Sequence, residues 1–307
     1  MMLLGAAACW GVGTVISKHV LDRGVAPLTL LVIELLGSCV FLLLIALAQR
    51  VTWSRSSSTL RLAALGVLNP GLAYALGLLG LVHIRASMSV LLWAVEPVLI
   101  LALAIFVLRQ RVAPATITAI AAAVVGGLLV VYQPGVDGTP IGIVLTLAAV
   151  LACAAYTVLT QRLLLEDTSA TIVLLQQATA LIFALAVTGC AAAAGLAELG
   201  LPTGLGTCAL AAISGMLYYG LAFTFFVAGL RHVSAATAAT FLPLIPVFGL
   251  AAASIAGDRL LAHQWVGAGL IVTAASIAVI VSARQGPAAP AGRRSRRAIP
   301  KDRQAPG

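Results

Sequence analysis

The chain has 307 residues, 62% hydrophobic and only 9% charged, with a formal net charge of +9. A soluble domain carries about 25% charged residues, so a cytosolic enzyme, a secreted disulfide scaffold and a disordered polypeptide are excluded. Seven of the 18 basic residues fall in the last 24 positions, so the basic balance is no sign of nucleic-acid binding. The composition is that of a polytopic membrane protein.

A helix needs roughly 20 apolar residues to cross the hydrocarbon of a bilayer. Breaks at charge, proline and glycine clusters divide the chain into ten such stretches: 2–21, 27–48, 62–82, 86–108, 115–132, 141–163, 170–194, 207–230, 234–256 and 263–282. Asp22-Arg23-Gly24, ahead of Pro27, ends the first. The segment from Arg50 to Arg61, with its serines, separates the second from the third, which Asn69-Pro70-Gly71 interrupts. Pro97 in the fourth and Pro246 in the ninth are expected in mid-helix, with Pro70 as a further hinge point. The turn-rich stretch Gln133–Pro140 parts two halves, 1–133 and 141–283, and a Pro-, Ala- and Arg-rich tail over 284–307 is expected to be disordered. None of the runs alternates with the period of two found in barrel strands, so the fold class is all-α.

Orientation follows from basic residues retained on the cytoplasmic side. With ten spans, Arg50, Arg55, Arg61, Arg109, Arg111, Arg162, Arg231 and the seven tail residues share one side, against Lys18, Arg23, Arg85 and Arg259 on the other. Both termini are therefore expected in the cytoplasm, with the chain in the cell membrane and its basic tail against anionic lipid. The opening Met1-Met2-Leu3-Leu4 has no basic leader region and reads as the start of the first span.

The two halves are related. Shifting the chain by 149 residues aligns Gly66 with Gly215, Gly71 with Gly220, Gly80 with Gly229, His83 with His232 and Pro97 with Pro246. Identities fill 11 of the 33 columns from 66 to 98, where an Ala- and Leu-rich composition would give about a tenth by chance. A shift of 143 pairs Thr14-Val15 with Thr157-Val158 and Leu31 with Leu174. A repeat of five spans is odd, so its copies must enter the membrane from opposite sides. Inverted repeats mark secondary transporters, whose substrate site lies near the midplane between the halves.

Several motifs carry a family resemblance. They are Ala7-Ala8-Cys9-Trp10-Gly11 with Lys18, Arg85-Ala86-Ser87, Glu96-Pro97-Val98, Pro246-Val247, and Gly257-Asp258-Arg259 followed by Gln264-Trp265-Val266-Gly267-Ala268. Over about residues 1–283 the chain resembles a ten-helix, EamA-type member of the drug/metabolite transporter superfamily. The resemblance implies export of small metabolites or drug-like compounds by alternating access. Leu108-Arg109-Gln110 departs from the acid usual in the family, and Glu34 stands near a position where many relatives carry Arg.

Ionisable groups inside a span are costly and normally face a cavity or the bundle interior. Two carboxylates meet that description, Glu34 and Glu96, and each is a candidate to take up and release a proton or to bind substrate. Arg85, Ser89, Trp93 and Glu96 fall on one stripe of the fourth span, and the matching stripe of the ninth, which contains Thr237, is neutral. Trp10, Trp93, Tyr74 and Tyr156 sit within spans rather than at interfaces, as Tyr218 and Tyr219 do, and are candidates to contact a substrate through their ring faces. Packing is the alternative for each. Gln177, beside Gln176 in the seventh span, needs a polar partner, either substrate or a neighbouring helix. Spans five and ten read as scaffold or dimer-contact helices.

The five cysteines have no spacing for disulfide or metal, and no phosphate loop, nucleophile–base set or zinc motif is present. No cofactor or enzymatic activity is expected. The partners are a small-molecule substrate and the lipid bilayer; a monomer already contains both halves, and a homodimer is compatible. An uncoupled permease of the same fold and, more remotely, an intramembrane enzyme are the alternatives to a proton-coupled transporter.

Overall fold

The computed structural model describes residues 1–50, 57–84, 89, 92–131, 139–164, 169–196, 199–255 and 262–285. Arg85, the Gly257-Asp258-Arg259 motif, the centre of the interhalf hinge and the tail beyond Gln285 lie outside them. The described chain is helical, without a strand running through it. Helices α1 (Met2–Leu21) and α2 (Pro27–Ala48) are followed by α3 (Ser57–Gly66), a π-helical turn over Val67–Leu72, and α4 (Ala73–His83). Next come α5 (Glu96–Phe106), α6 (Pro114–Val131), α7 (Pro140–Leu163) and α8 (Ser169–Ala193). The chain continues through α9 (Leu205–Gly215), a second π-helical turn over Met216–Leu221, and α10 (Ala222–Leu230). Helices α11 (Ala235–Ala239), α12 (Leu244–Ile255) and α13 (Ala262–Gln285) complete it.

Seven helical stretches among the described residues are long and apolar enough to cross a membrane: Met2–Leu21, Pro27–Ala48, Thr59–Gly80, Pro140–Leu163, Ser169–Ala193, Leu205–Leu230 and Ala235–Ala252. The expected spans 86–108 and 115–132 are represented by the shorter apolar helices Glu96–Phe106 and Pro114–Leu129. The chain around 263–282 is helical as far as Gln285, slightly beyond its expected end.

Two expectations about proline are corrected. Pro97 and Pro246 do stand at interruptions of their spans, but each lies in the first turn of a helix rather than in mid-helix. Pro97 is the second residue of α5, preceded by a turn at Ala94 and Val95, and Pro246 is the third residue of α12, after a turn over Thr240–Pro243. Proline lacks an N–H, and the first turn of a helix has no partner for that N–H in any case. The helices therefore begin at these residues. In the third span Asn69 does leave helical geometry, at φ −150° and ψ 123°, just ahead of Pro70. The second π-helical turn lies 149 residues further along the chain and contains no proline.

Glycine sets the closest helix crossings. A Cβ on Gly66 would fall on the backbone carbonyl of Gln176, and one on Gly215 would fall on that of Glu34. Helix α3 thus packs on α8, and α9 on α2, with no side chain between their backbones. Spans five and ten pack against each other as α6 and α13. A Cβ on Gly126 would lie 2.8 Å from the Gly267 carbonyl oxygen, so their small residues serve an intramolecular contact. The outward faces of these helices still carry exposed Ile117, Val125, Val266 and Val272, as a lipid-facing surface does.

Candidate functional site: an aromatic cavity with one carboxylate

A cavity of about 460 Å³ lies between helices drawn from both halves of the chain. That size is within the range of small-molecule sites. Its wall includes Trp10 and Thr14 from α1, Asn69 from the first π turn and Tyr74 from α4. Ser89, Trp93, Glu96 and Pro97 approach along the fourth predicted span, and Tyr156 and Thr157 come from α7. The second half adds Tyr218, Phe223, Phe226 and Pro246. Of the stripe expected along the fourth span, Ser89, Trp93 and Glu96 share this wall.

The rings form a connected set. Trp10 meets Phe223 and Phe226 edge to face at centroid separations of 5.4 and 5.3 Å, and Tyr74 meets Trp93 at 6.2 Å and Tyr218 at 5.8 Å. Each is in the range where aromatic pairs attract beyond their burial. Tyr74 also donates its hydroxyl to that of Tyr218 at 3.1 Å. Among the described residues Glu96 carries the only carboxyl on the wall, and no Lys, Arg or His lines it. Val95, not Glu96, is the N-cap of α5, and no side chain caps it, so the carboxylate is not spent on backbone freed by Pro97. Two further polar atoms in the lining residues lack a protein partner, the indole N–H of Trp10 and the amide oxygen of Asn69. Buried polar groups normally have one. The wall therefore offers one acid among rings, with the hydroxyl residues Thr14, Ser89 and Thr157 beside it.

Not every candidate that the sequence points to lies in this cavity. Glu34 is buried beside it, lining a smaller recess of about 120 Å³ with Tyr74, Tyr218 and Tyr219. Gln177 is fully buried and donates its side-chain amide to the Tyr219 carbonyl at 3.1 Å, so its partner is a neighbouring helix. Thr237 supports a helix end: its backbone N–H donates to Ser234 Oγ at 3.1 Å, capping α11. Pro70 is buried in the first π turn, and its neighbour Asn69 reaches the cavity. Sequence reasoning misses Asn69, Phe223 and Phe226 as wall residues. A lone amide in an apolar span is the available signal for Asn69; the phenylalanines offer none.

Tyr156 plays two parts. Its ring lines the cavity while its hydroxyl donates to Gln176 Oε1 at 2.8 Å, and the Gln176 amide donates to the Leu62 carbonyl at 3.2 Å. Tyr156→Phe leaves a buried acceptor with one partner fewer. It is expected to lower stability by about 1–2 kcal/mol, read as an earlier thermal transition in detergent, while the retained ring keeps solute affinity within about twofold of the parent. Among the described residues no group of three or more His, Cys, Asp or Glu is arranged to hold a metal ion.

The model of the EamA-like transporter family matches residues 1–132 and again 140–280. The chain belongs to the EamA-like transporter family. It is thus a multi-pass membrane protein of a transporter family, and the cavity lies among the helices that the family match covers. No curated protein matches the sequence. Among solved structures, a crystal structure described only as that of a protein superposes with a TM-score of 0.75 at 17% identity. The match covers 92% of this chain and 98% of that one, and it speaks for the fold alone.

Proposed function

We propose that this EamA-family chain is a secondary-active transporter that exports small organic cations or zwitterions across the cell membrane by alternating access. In this reading it has ten membrane helices in two inverted five-helix repeats, 1–133 and 141–283, with both termini cytoplasmic. The single observation that carries the reading is the cavity walled by both halves, with one carboxylate among aromatic rings. A desolvated cation gains from both: the carboxylate supplies charge, and each ring face adds about 0.5–2 kcal/mol.

The packing partners support the repeat. Helix α1 packs on α12 and α10, and its counterpart α7 packs on α5 and α4; α2 packs on α9 as α8 does on α3. Exchanging the halves leaves this set unchanged, as an internal two-fold axis requires. Rocking about that axis would expose the cavity alternately to the two sides.

One end of the bundle carries a polar tie suited to gating. One turn beyond Thr157, Gln161 accepts from Gln110 Nε2 at 2.6 Å and from the Ala235 N–H at 2.8 Å, and donates to the Val233 carbonyl at 2.7 Å. It thereby joins α7, the segment after α5 and the turn before α11. Gln161→Ala removes these bonds and a longer one from Gln161 Nε2 to the Leu230 carbonyl at 3.4 Å, each worth about 0.5–1.5 kcal/mol. With Leu230→Cys as reporter in a cysteine-free background, it is expected to raise maleimide labelling about tenfold or more; an unchanged rate would discount Gln161 as a gate.

Uptake of a panel of radiolabelled organic cations and zwitterions into proteoliposomes tests the function. Flux of a cationic or zwitterionic solute that responds to an imposed pH step supports coupled transport. Flux that follows the solute gradient alone assigns an uncoupled permease, and no flux of any member removes the substrate class.

A further inference from the structure

The second buried carboxylate has surroundings of a different kind from the first. Glu34 on α2 is 4% exposed. Its Oε1 lies 2.5 Å from Ser17 Oγ on α1 and 2.7 Å from Ser214 Oγ on α9, and the two serine oxygens are 2.7 Å from each other. Three oxygens from three helices thus form a closed triangle. Ser17 and Glu34 belong to the first half, Ser214 to the second.

These lengths decide what holds the triangle together. Oxygens sharing a hydrogen bond lie about 2.5–3.0 Å apart. A metal ion would spread them: even around Mg²⁺, with its bonds of about 2.0–2.1 Å in octahedral geometry, neighbouring oxygens stand near 2.9 Å, and Ca²⁺ needs longer bonds still. Each edge of the triangle therefore wants one proton. The two serine hydroxyls supply two. With Glu34 ionised, one edge sets two oxygen lone pairs face to face at hydrogen-bond distance with nothing between them. With Glu34 protonated, the ring closes: its O–H donates to one serine, that serine to the other, and the second serine back to the carboxyl.

We infer that the Ser17–Glu34–Ser214 triangle is a proton-binding site, separate from the aromatic cavity, that holds one proton when the two halves pack as they do here. The inference deepens the transport reading by locating the coupling proton, and it rests on that reading only for the proton's use. Gly215 brings the α9 backbone against that of Glu34, which holds the α2 and α9 corners of the triangle close together. The other titratable side chains at the recess are Tyr74, Tyr218 and Tyr219, and among the described residues no Lys, Arg, His or second acid lines it. Lys18, next to Ser17, points away and pairs with Asp22 at 3.0 Å. Tyr74 and Tyr218 line both recess and cavity, so a proton leaving Glu34 and a solute entering the cavity meet the same hydroxyl pair. At the repeat-related position the second half carries Gln177, a neutral side chain of the same shape as protonated Glu34.

Infrared difference spectroscopy of the whole protein in detergent at neutral pH tests this without any substrate. Between parent and Glu34→Gln, a protonated-carboxyl C=O stretch should disappear, and it should persist in Glu96→Gln. Ser214→Ala, a smaller change, removes the edge that demands a third proton and leaves Ser17 free to donate to an ionised Glu34, so the same band should weaken or vanish. A Glu34→Gln difference that contains only carboxylate bands overturns the proposal, as does a band that Ser214→Ala leaves in place. Neither outcome touches the transport reading, which stands or falls on flux.

Discussion

Glu96→Gln should abolish most transport of a cationic solute while leaving the folded protein intact. The substitution keeps volume and one carbonyl oxygen and removes the only carboxyl on the cavity wall among the described residues. Truncating one partner of a desolvated charge pair costs about 2–5 kcal/mol, and every 1.4 kcal/mol is tenfold. Solute affinity is therefore expected to fall at least about thirtyfold, read as the concentration for half-maximal flux in proteoliposomes. Glu96 does not cap its own helix, so thermal stability should change little. A Glu96→Gln protein that still concentrates cations normally would leave the rings as the whole site. The same substitution should weaken a neutral solute far less, which separates charge recognition from loss of cavity shape.

Gly66→Ala should prevent the protein from folding to a stable form. The added methyl would coincide with the Gln176 carbonyl and press on Thr179 Oγ1. Thr179 donates its hydroxyl to the Ala63 carbonyl at 2.6 Å, and Gln176 bonds back to Leu62. The crossing of α3 and α8 is thus stitched on both sides of the glycine. Overpacking of a core typically costs about 1–3 kcal/mol when side chains can yield, and here the obstacle is backbone. The expected result is loss of the monodisperse peak on size exclusion, with Gly127→Ala as control, since a Cβ there meets nothing within 4 Å. A monodisperse Gly66→Ala protein would mean that the two helices can part without cost.

Much of the site is legible in the chain because helical spacing carries on through the short turn at Ala94 and Val95, where Val95 keeps near-helical geometry. Spacing alone places Ser89, Trp93 and Glu96 on one stripe, and all three reach the cavity. The two carboxylates stand out because an apolar span makes any acid conspicuous. Spacing along one helix says nothing about which faces of other helices arrive opposite. Glu34 and Glu96 look alike in sequence, yet one meets two serine hydroxyls from other helices and the other meets rings. Gln177 and Thr237 are polar for reasons of packing: one satisfies a carbonyl of a π-helical turn, the other a helix start. Proline misleads, because its position within a helix depends on where the preceding turn falls.

The sequence by itself determined the solvent the protein lives in. At 9% charge no water-facing shell can be built, so the apolar runs must be helices that satisfy their own backbone in lipid. It also carried the family. Only the tertiary structure decided which polar groups are neighbours: the serine triangle around Glu34, the Gln161 tie, and the cavity whose wall Trp10, Asn69 and Glu96 share. Those contacts join residues tens to nearly two hundred positions apart. The triangle at Glu34 sits beside the crossing at Gly215, and no local pattern encodes the partner across such a crossing.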